Sequence, residues 1–159
     1  ALALLGACQE YGLNTAIETS ACAPAETVRR FIPVCDCFLM DIKHMNSEKH
    51  KEFTTQPNEL ILSNAEILAK EARELVVRVP VIPTFNDTPE EISAIASFAK
   101  SLGSVRQMHL LPYHRLGYDK YIGLGREYTM GDVASPTKEH MERLRKAAAE
   151  SGLEIIIGG

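Results

Sequence analysis

The stretch LVVRVPVIPTFNDTPEEISAIASFAKSLGSVRQMHLL, residues 75–111, decides the fold. Leu75 to Ile82 is a β-branched run, the pattern of a strand buried on both faces. Thr88-Pro89-Glu90-Glu91 is a capping box with proline at the first helical position. Ile92, Ile95, Phe98, Ala99 and Leu102 follow at helical spacing, and Gly103 closes the helix. Arg106 to Leu111 reads as the next strand. A strand, a helix and a strand in that order make a βαβ unit, which pairs its strands in parallel through a right-handed crossover.

The same alternation extends outward in both directions. Upstream, Leu4, Ala7, Cys8 and Tyr11 repeat at helical spacing, and Gly12 supplies a stop. Residues 14–20 read as a short strand. Pro24 suits a first helical position ahead of Val28, Phe31 and Ile32. Cys37 to Lys43 is a strand, Asn46 can cap a short helix through Phe53, and residues 58–73 carry a helical stripe. Downstream, Ser135-Pro136 opens a last helix with Met141, Leu144 and Ala148 inward, and Leu153 to Ile157 is a final strand. Repeated βα units imply an α/β fold with a parallel sheet. Between them, residues 112–134 form a long stretch rich in Gly and Tyr, expected to be structureless and to lie over one end of the sheet.

Bulk properties narrow the class. The chain has 159 residues, 45% apolar and 24% charged, with a net charge of −4. That is enough chain for one domain, and the charge gives no electrostatic reason to expect nucleic acid or anionic membrane as a partner. No apolar run approaches membrane-spanning length. The cysteines, Cys8, Cys22, Cys35 and Cys37, lack common metal-ligand spacing and read as reduced core thiols. On a strand, Cys35 and Cys37 share one face. His44 and His109 read as structural, and His50 and His140 as solvated helix residues. Asn86-Asp87-Thr88 reads as turn and cap chemistry.

The informative charges sit at strand ends. Side chains alternate along a strand, so Asp41 and Lys43 share a face with Leu39, Arg78 shares one with Val76 and Pro80, and Glu18 shares one with Ala16 and Ser20. The opposing sets are apolar and are expected to meet the helices. Glu18, Asp41, Lys43 and Arg78 then converge on the other side, with His114 at the same end. Charge inside a sheet is costly unless a partner or ligand meets it. Two anions and two cations can form a self-neutralising cluster, or a pocket for a ligand of both charge signs, such as a zwitterionic amino-acid group.

The segments IETSA (17–21), FLMDIKHMN (38–46), RVPVIPTFND (78–87), LLPYHRLG (110–117) and IIIGG (155–159) resemble, in this order, the C-terminal two-thirds of glycyl-radical-enzyme activating proteins, the family of pyruvate formate-lyase activating enzyme. The resemblance implies a partial (β/α) barrel of the radical S-adenosylmethionine type, truncated at its N-terminal strands, with residues 1–159 as the C-terminal part of that single domain. It implies an oxidoreductase that cleaves S-adenosyl-L-methionine at a [4Fe–4S] cluster and generates a glycyl radical on a partner enzyme such as pyruvate formate-lyase. An electron donor such as flavodoxin or ferredoxin and a cytoplasmic, anaerobic setting go with it. By position, Glu18, Asp41, Lys43, Arg78 and His114 are the implied S-adenosylmethionine-binding residues. The family's C-x3-C-x2-C loop is absent from this chain, so the cluster ligands are expected outside it and the chain alone is expected to be inactive.

Two other functions fit the residues: a barrel lyase or aldolase using Lys43 as a Schiff-base nucleophile, and a non-catalytic partner-binding module. If the family's first strands precede Ala1, Asn14–Ser20 is an unprotected sheet edge. Edge pairing or dimerisation is then expected, and a monodisperse monomer in light scattering contradicts it.

Overall fold

The computed structural model describes residues 1–128, 130–131 and 133–158. The chain runs α1 (Leu2–Glu10), β1 (Ala16–Thr19), α2 (Ala25–Phe31), β2 (Cys37–Asp41), α3 (Ser47–Thr54), α4 (Glu59–Glu71), β3 (Leu75–Val81), α5 (Pro89–Ser101), β4 (Gln107–Pro112), α6 (Tyr118–Gly123), α7 (Lys138–Ala149) and β5 (Glu154–Ile157), with short 3-10 turns at Ile32–Val34 and Arg115–Gly117. The sheet order is β1-β2-β3-β4-β5, and every neighbouring pair is parallel. Sequential order with right-handed crossovers sends the connecting helices to one side of the sheet. This is one wall of a barrel rather than a doubly wound sheet, with β1 and β5 at its edges.

The two faces differ as the alternation requires. Phe38 and Met40 of β2, Val77, Val79 and Val81 of β3, Met108 and Leu110 of β4 and Ile155 of β5 join one apolar cluster with Ile61, Ala65 and Leu68 of α4, Ile92, Ile95 and Ala99 of α5, and Met141 and Leu144 of α7. Burial of each large aliphatic side chain contributes about 1.5–3 kcal/mol, so this layer carries most of the stability. On the other face, Leu39, Asp41, Arg78, Pro80, His109 and Leu111 are only half-buried. Val76 is buried but lies outside the helix-side cluster.

Local signals set the helix ends. Asn46 accepts from the Lys49 N–H at 3.0 Å and opens α3. Thr88 accepts from the Glu91 N–H at 3.2 Å and opens α5. The second arm of that capping box is diverted, because Glu91 accepts from the Met45 N–H instead of reaching back to Thr88. Thr137, not Ser135, caps the last helix, by accepting from the His140 N–H. Pro24 is the N-cap of α2 rather than its first residue.

Several expectations need correction. Residues 112–134 are not structureless, since they contain the 3-10 turn and α6; Thr129 and Asp132 of that stretch lie outside the described residues. Tyr113 and Tyr128 share a hydroxyl–hydroxyl hydrogen bond, and the rings of Tyr118 and Tyr121 meet Tyr128 edge-on, so aromatic contacts fold the excursion. Cys35 belongs to the helix-side core, whereas Cys37 lines the opposite side, because Cys35 precedes the strand and escapes its alternation. His50 is 3% exposed, held by the Gln56 carbonyl and the Thr54 hydroxyl, and is not solvated. His140 is half-buried against the Asp87 carbonyl.

Thr55 ends α3 in the left-handed region, at φ 67°, and is exposed. A β-branched residue pays a steric cost there that glycine does not. Thr55→Gly is expected to raise unfolding stability by about 1 kcal/mol, read as a shift in the urea midpoint.

Candidate functional site

The C-terminal ends of β1, β2 and β3 bring four charged side chains into one chain of contacts. Asp41 and Arg78 are register partners on adjacent strands, so both project to the half-buried face. The Arg78 guanidinium donates to Asp41 Oδ1 from Nε at 3.2 Å and from Nη2 at 3.1 Å. It also reaches across β2 to Glu18, donating to Oε1 at 2.7 Å and to Oε2 at 3.2 Å. Lys43, just past β2, donates from Nζ to Asp41 Oδ2 at 3.2 Å. The sequence Glu18–Arg78–Asp41–Lys43 alternates in sign and sums to zero.

Burial is graded along the array. The Arg78 side chain keeps 12% of its exposure and Asp41 19%, but Glu18 keeps 67%. The inner pair is therefore largely withdrawn from water, where its electrostatic coupling is strongest, and Glu18 closes the array at the solvent side. Hydrogen bonds from Arg78 hold the Glu18 carboxyl below its ordinary value. The same bonds raise Arg78 further, so it is a permanent cation. His114, exposed, lies just beyond the end of β4, on the same rim of the sheet. The structure thus joins four of the five expected residues by direct contacts and places the fifth at the same end.

Sequence reasoning did not join to the array the polar residues that hold these ends in place. Asn86, fully buried, bonds the carbonyls of Lys43 and Pro80. Asn64 donates to the carbonyls of Ala21 and Ala23, fixing the turn after β1. His44 is buried at 3% exposure, accepts from the Asn46 N–H and stands 3.0 Å from Glu91. Burial holds it below the ordinary imidazole value. The available signal was an Asn in a turn, which reads equally well as ordinary turn chemistry.

Two cavities lie at opposite ends of the sheet. One of about 140 Å³ adjoins Lys43 and is lined also by Ser20, Cys22 and His50. Another, of about 730 Å³, opens at the other end of the sheet beside Asp36, Cys37, Arg73 and Arg106. In the second, Arg73 is already paired with Asp36 at 2.7 Å, and burial pushes the Cys37 thiol up to about 11. Its size is right for a small ligand, but sites on parallel sheets of this kind form at the C-terminal ends of the strands.

No protein-family model matches the chain. It is 43% identical over 153 residues to the 4-hydroxyphenylacetate decarboxylase activating enzyme of Clostridioides difficile (strain CD196), covering 95% of this chain and 48% of that protein. It is 47% identical over 152 residues to the isethionate sulfite-lyase activating enzyme of Desulfovibrio desulfuricans, covering 94% and 48%. The chain's homologues are glycyl-radical-enzyme activating enzymes. It spans about half the length of these activating enzymes. A domain of pyruvate-formate lyase-activating enzyme from Bacteroides vulgatus superposes with a TM-score of 0.81 at 29% identity, covering 99% of this chain and 89% of that one. A radical SAM methyltransferase from Sphaerobacter thermophilus shares the fold, with a TM-score of 0.68 at 11% identity and coverage of 92% and 41%. These two activating enzymes are named for partners other than pyruvate formate-lyase, so that particular partner does not follow from the motifs.

Arg78→Met leaves Glu18 and Asp41 facing each other without a shared cation. Its expected cost is about 2 kcal/mol at neutral pH, from denaturant unfolding. Because Glu18 is held below its ordinary 4.5, its share of stability is complete above that value and is lost as pH falls through the lowered one. The variant should therefore lose stability less steeply than the unmutated chain between about pH 5 and 3.

Proposed function

We propose that the protein carrying this chain is a radical S-adenosylmethionine activating enzyme that abstracts hydrogen from a glycine of a partner glycyl-radical enzyme. The observation that carries this reading is the alternating array of Glu18, Arg78, Asp41 and Lys43 on the half-buried face of a barrel wall. The homologues support the same class. The partner enzyme, an electron donor of the flavodoxin or ferredoxin type and a cytoplasmic location belong to the proposal. No helix among the described residues is long and apolar enough to cross a membrane.

The array fits the amino-acid end of S-adenosylmethionine. A carboxylate needs a cation with free donors, and an ammonium needs a carboxylate acceptor. Lys43 keeps 25% of its side-chain exposure and has Asp41 as its one hydrogen-bond partner among those described, so it can turn to a ligand carboxylate. Asp41 can accept from the ammonium while Arg78 holds its other oxygen. Glu18, the most exposed member, can exchange its contact with Arg78 for a contact to the ligand without stranding a buried charge. His114 on the rim is the candidate for the ribose. Bound S-adenosylmethionine would supply the hydrogen-atom abstraction that the family resemblance pairs with an iron–sulfur cluster.

The residues present do not fit the cluster itself. No group of three His, Cys, Asp or Glu side chains among the described residues converges to hold a metal. Cys35 is buried in the helix-side core and Cys37 lines the cavity at the far end of the sheet. No step of the reaction is assigned to these thiols.

Calorimetric titration of S-adenosylmethionine into the protein tests the binding role. Lys43→Met and Asp41→Asn are each expected to weaken binding about tenfold or more, the scale of a lost charge-assisted hydrogen bond. Equal affinity in all three proteins contradicts the proposal.

A further inference from the structure

The backbone that carries Lys43 leaves the sheet one step after Asp41, and the reason is a proline. Asp41 pairs with Arg78, and the Ile42 N–H donates to the Arg78 carbonyl at 2.9 Å. In a parallel ladder the next rung needs an N–H from the residue two further along β3. That residue is Pro80, which has none. The β2–β3 register stops there.

Side chains take over where the ladder fails. Asn86 Nδ2 donates to the Lys43 carbonyl at 2.7 Å and to the Pro80 carbonyl at 2.9 Å. Its Oδ1 accepts from the Ile82 N–H at 2.7 Å. Asn86 is 0% exposed, so both of its donors and its acceptor are spent on backbone. Beyond it, Asn58 Nδ2 donates to the carbonyls of His44 and Met45 at 2.8 and 2.9 Å. Glu91 accepts from the Met45 N–H. The segment from Lys43 to Met45 is thus held by carboxamides and a carboxylate from three other parts of the chain.

We propose that Asn86 is a positioning residue that fixes Lys43 next to Asp41 by clamping the Lys43 and Pro80 carbonyls together where the β2–β3 ladder has ended. Its functional meaning rests on the reading of the charged array as a ligand site; the clamp itself needs no ligand. The Asn86 carboxamide is the side-chain donor to both carbonyls. Without it those carbonyls lose their donor, and the backbone at Lys43 is free to move away from β3.

The test reads the Lys43 amine directly. The protein is treated briefly with acetic anhydride, and acetylation is followed lysine by lysine by mass spectrometry. In Asn86→Ala, Lys43 acetylation is expected to rise about threefold, because an amine held against a carboxylate is less available than a released one. Lys70 and Lys100 on the helices should not change. Ile155→Val, a core change on edge strand β5, three strands away from β2, should leave Lys43 unchanged as well. An unaltered Lys43 rate in folded Asn86→Ala overturns the proposal, and so does an equal rise in Ile155→Val.

If Asn86→Ala does not fold, the unmutated protein decides by NMR. The carboxamide protons of Asn86 should exchange with solvent far more slowly than those of exposed Asn14, and equal exchange overturns the proposal. S-adenosylmethionine affinity is measured in parallel as a double-mutant cycle. Asn86→Ala should weaken binding several-fold in the unmutated background but by less than about twofold beside Lys43→Met. Additive losses overturn the positioning role. Absence of binding in the unmutated protein sinks the ligand-site reading, and the acetylation result then judges the clamp alone.

Discussion

Everything at the C-terminal rim depends on one guanidinium. Arg78 projects from a central strand and is bound by carboxylates from two others, Asp41 beside it and Glu18 beyond β2. A lone cation at 12% exposure is not sustainable in such a place. Asp41, the buried partner, is therefore a condition of the fold as well as a feature of the site, and the exposed Glu18 adds a second acceptor. Arginine meets this demand because its planar fork can serve two acceptors at once, which a lysine cannot do. The arrangement also explains why the array can accept a ligand: Glu18 and Lys43, at its ends, can change partners while the inner pair stays bound.

The helix layer makes that arrangement affordable. The cluster of Val77, Val79, Met108, Leu110, Ile92, Ile95 and Leu144 buries one face of the central strands. The other face is thereby free to carry charge without threatening the fold. A doubly wound sheet would have covered both faces and left no room for Arg78. Sequential strand order is what leaves one face of the wall available.

Much of this was legible in the sequence because the physics involved is local or periodic. Alternation in RVPVIP and FLMDIK separated charged from apolar faces, and the observed register of Asp41 with Arg78 follows it. Thr88, Asn46, Gly12 and Gly103 marked helix ends by backbone chemistry that acts within a few residues. What stayed hidden depends on contacts distant in sequence. Asn86 finds Lys43 across forty-three positions, and Glu91 abandons its own cap for Met45 across forty-six. His50 looked exposed because its helix is polar, yet Gln56 and Thr54 bury it. Cys35 and Cys37 part because the strand begins only at Cys37.

The account stands on the claim that an amphoteric ligand meets Arg78, Asp41 and Lys43 together. The most direct measurement is a titration of the isotope-labelled protein with S-adenosylmethionine, following the Arg78 Nε–H and Lys43 Nζ resonances by NMR. The account predicts that both shift in step and saturate at one ligand concentration, while the resonances of Arg73 and Arg106 at the opposite end stay still. Shifts confined to Arg73 and Arg106, or saturation at different concentrations for Arg78 and Lys43, would contradict it.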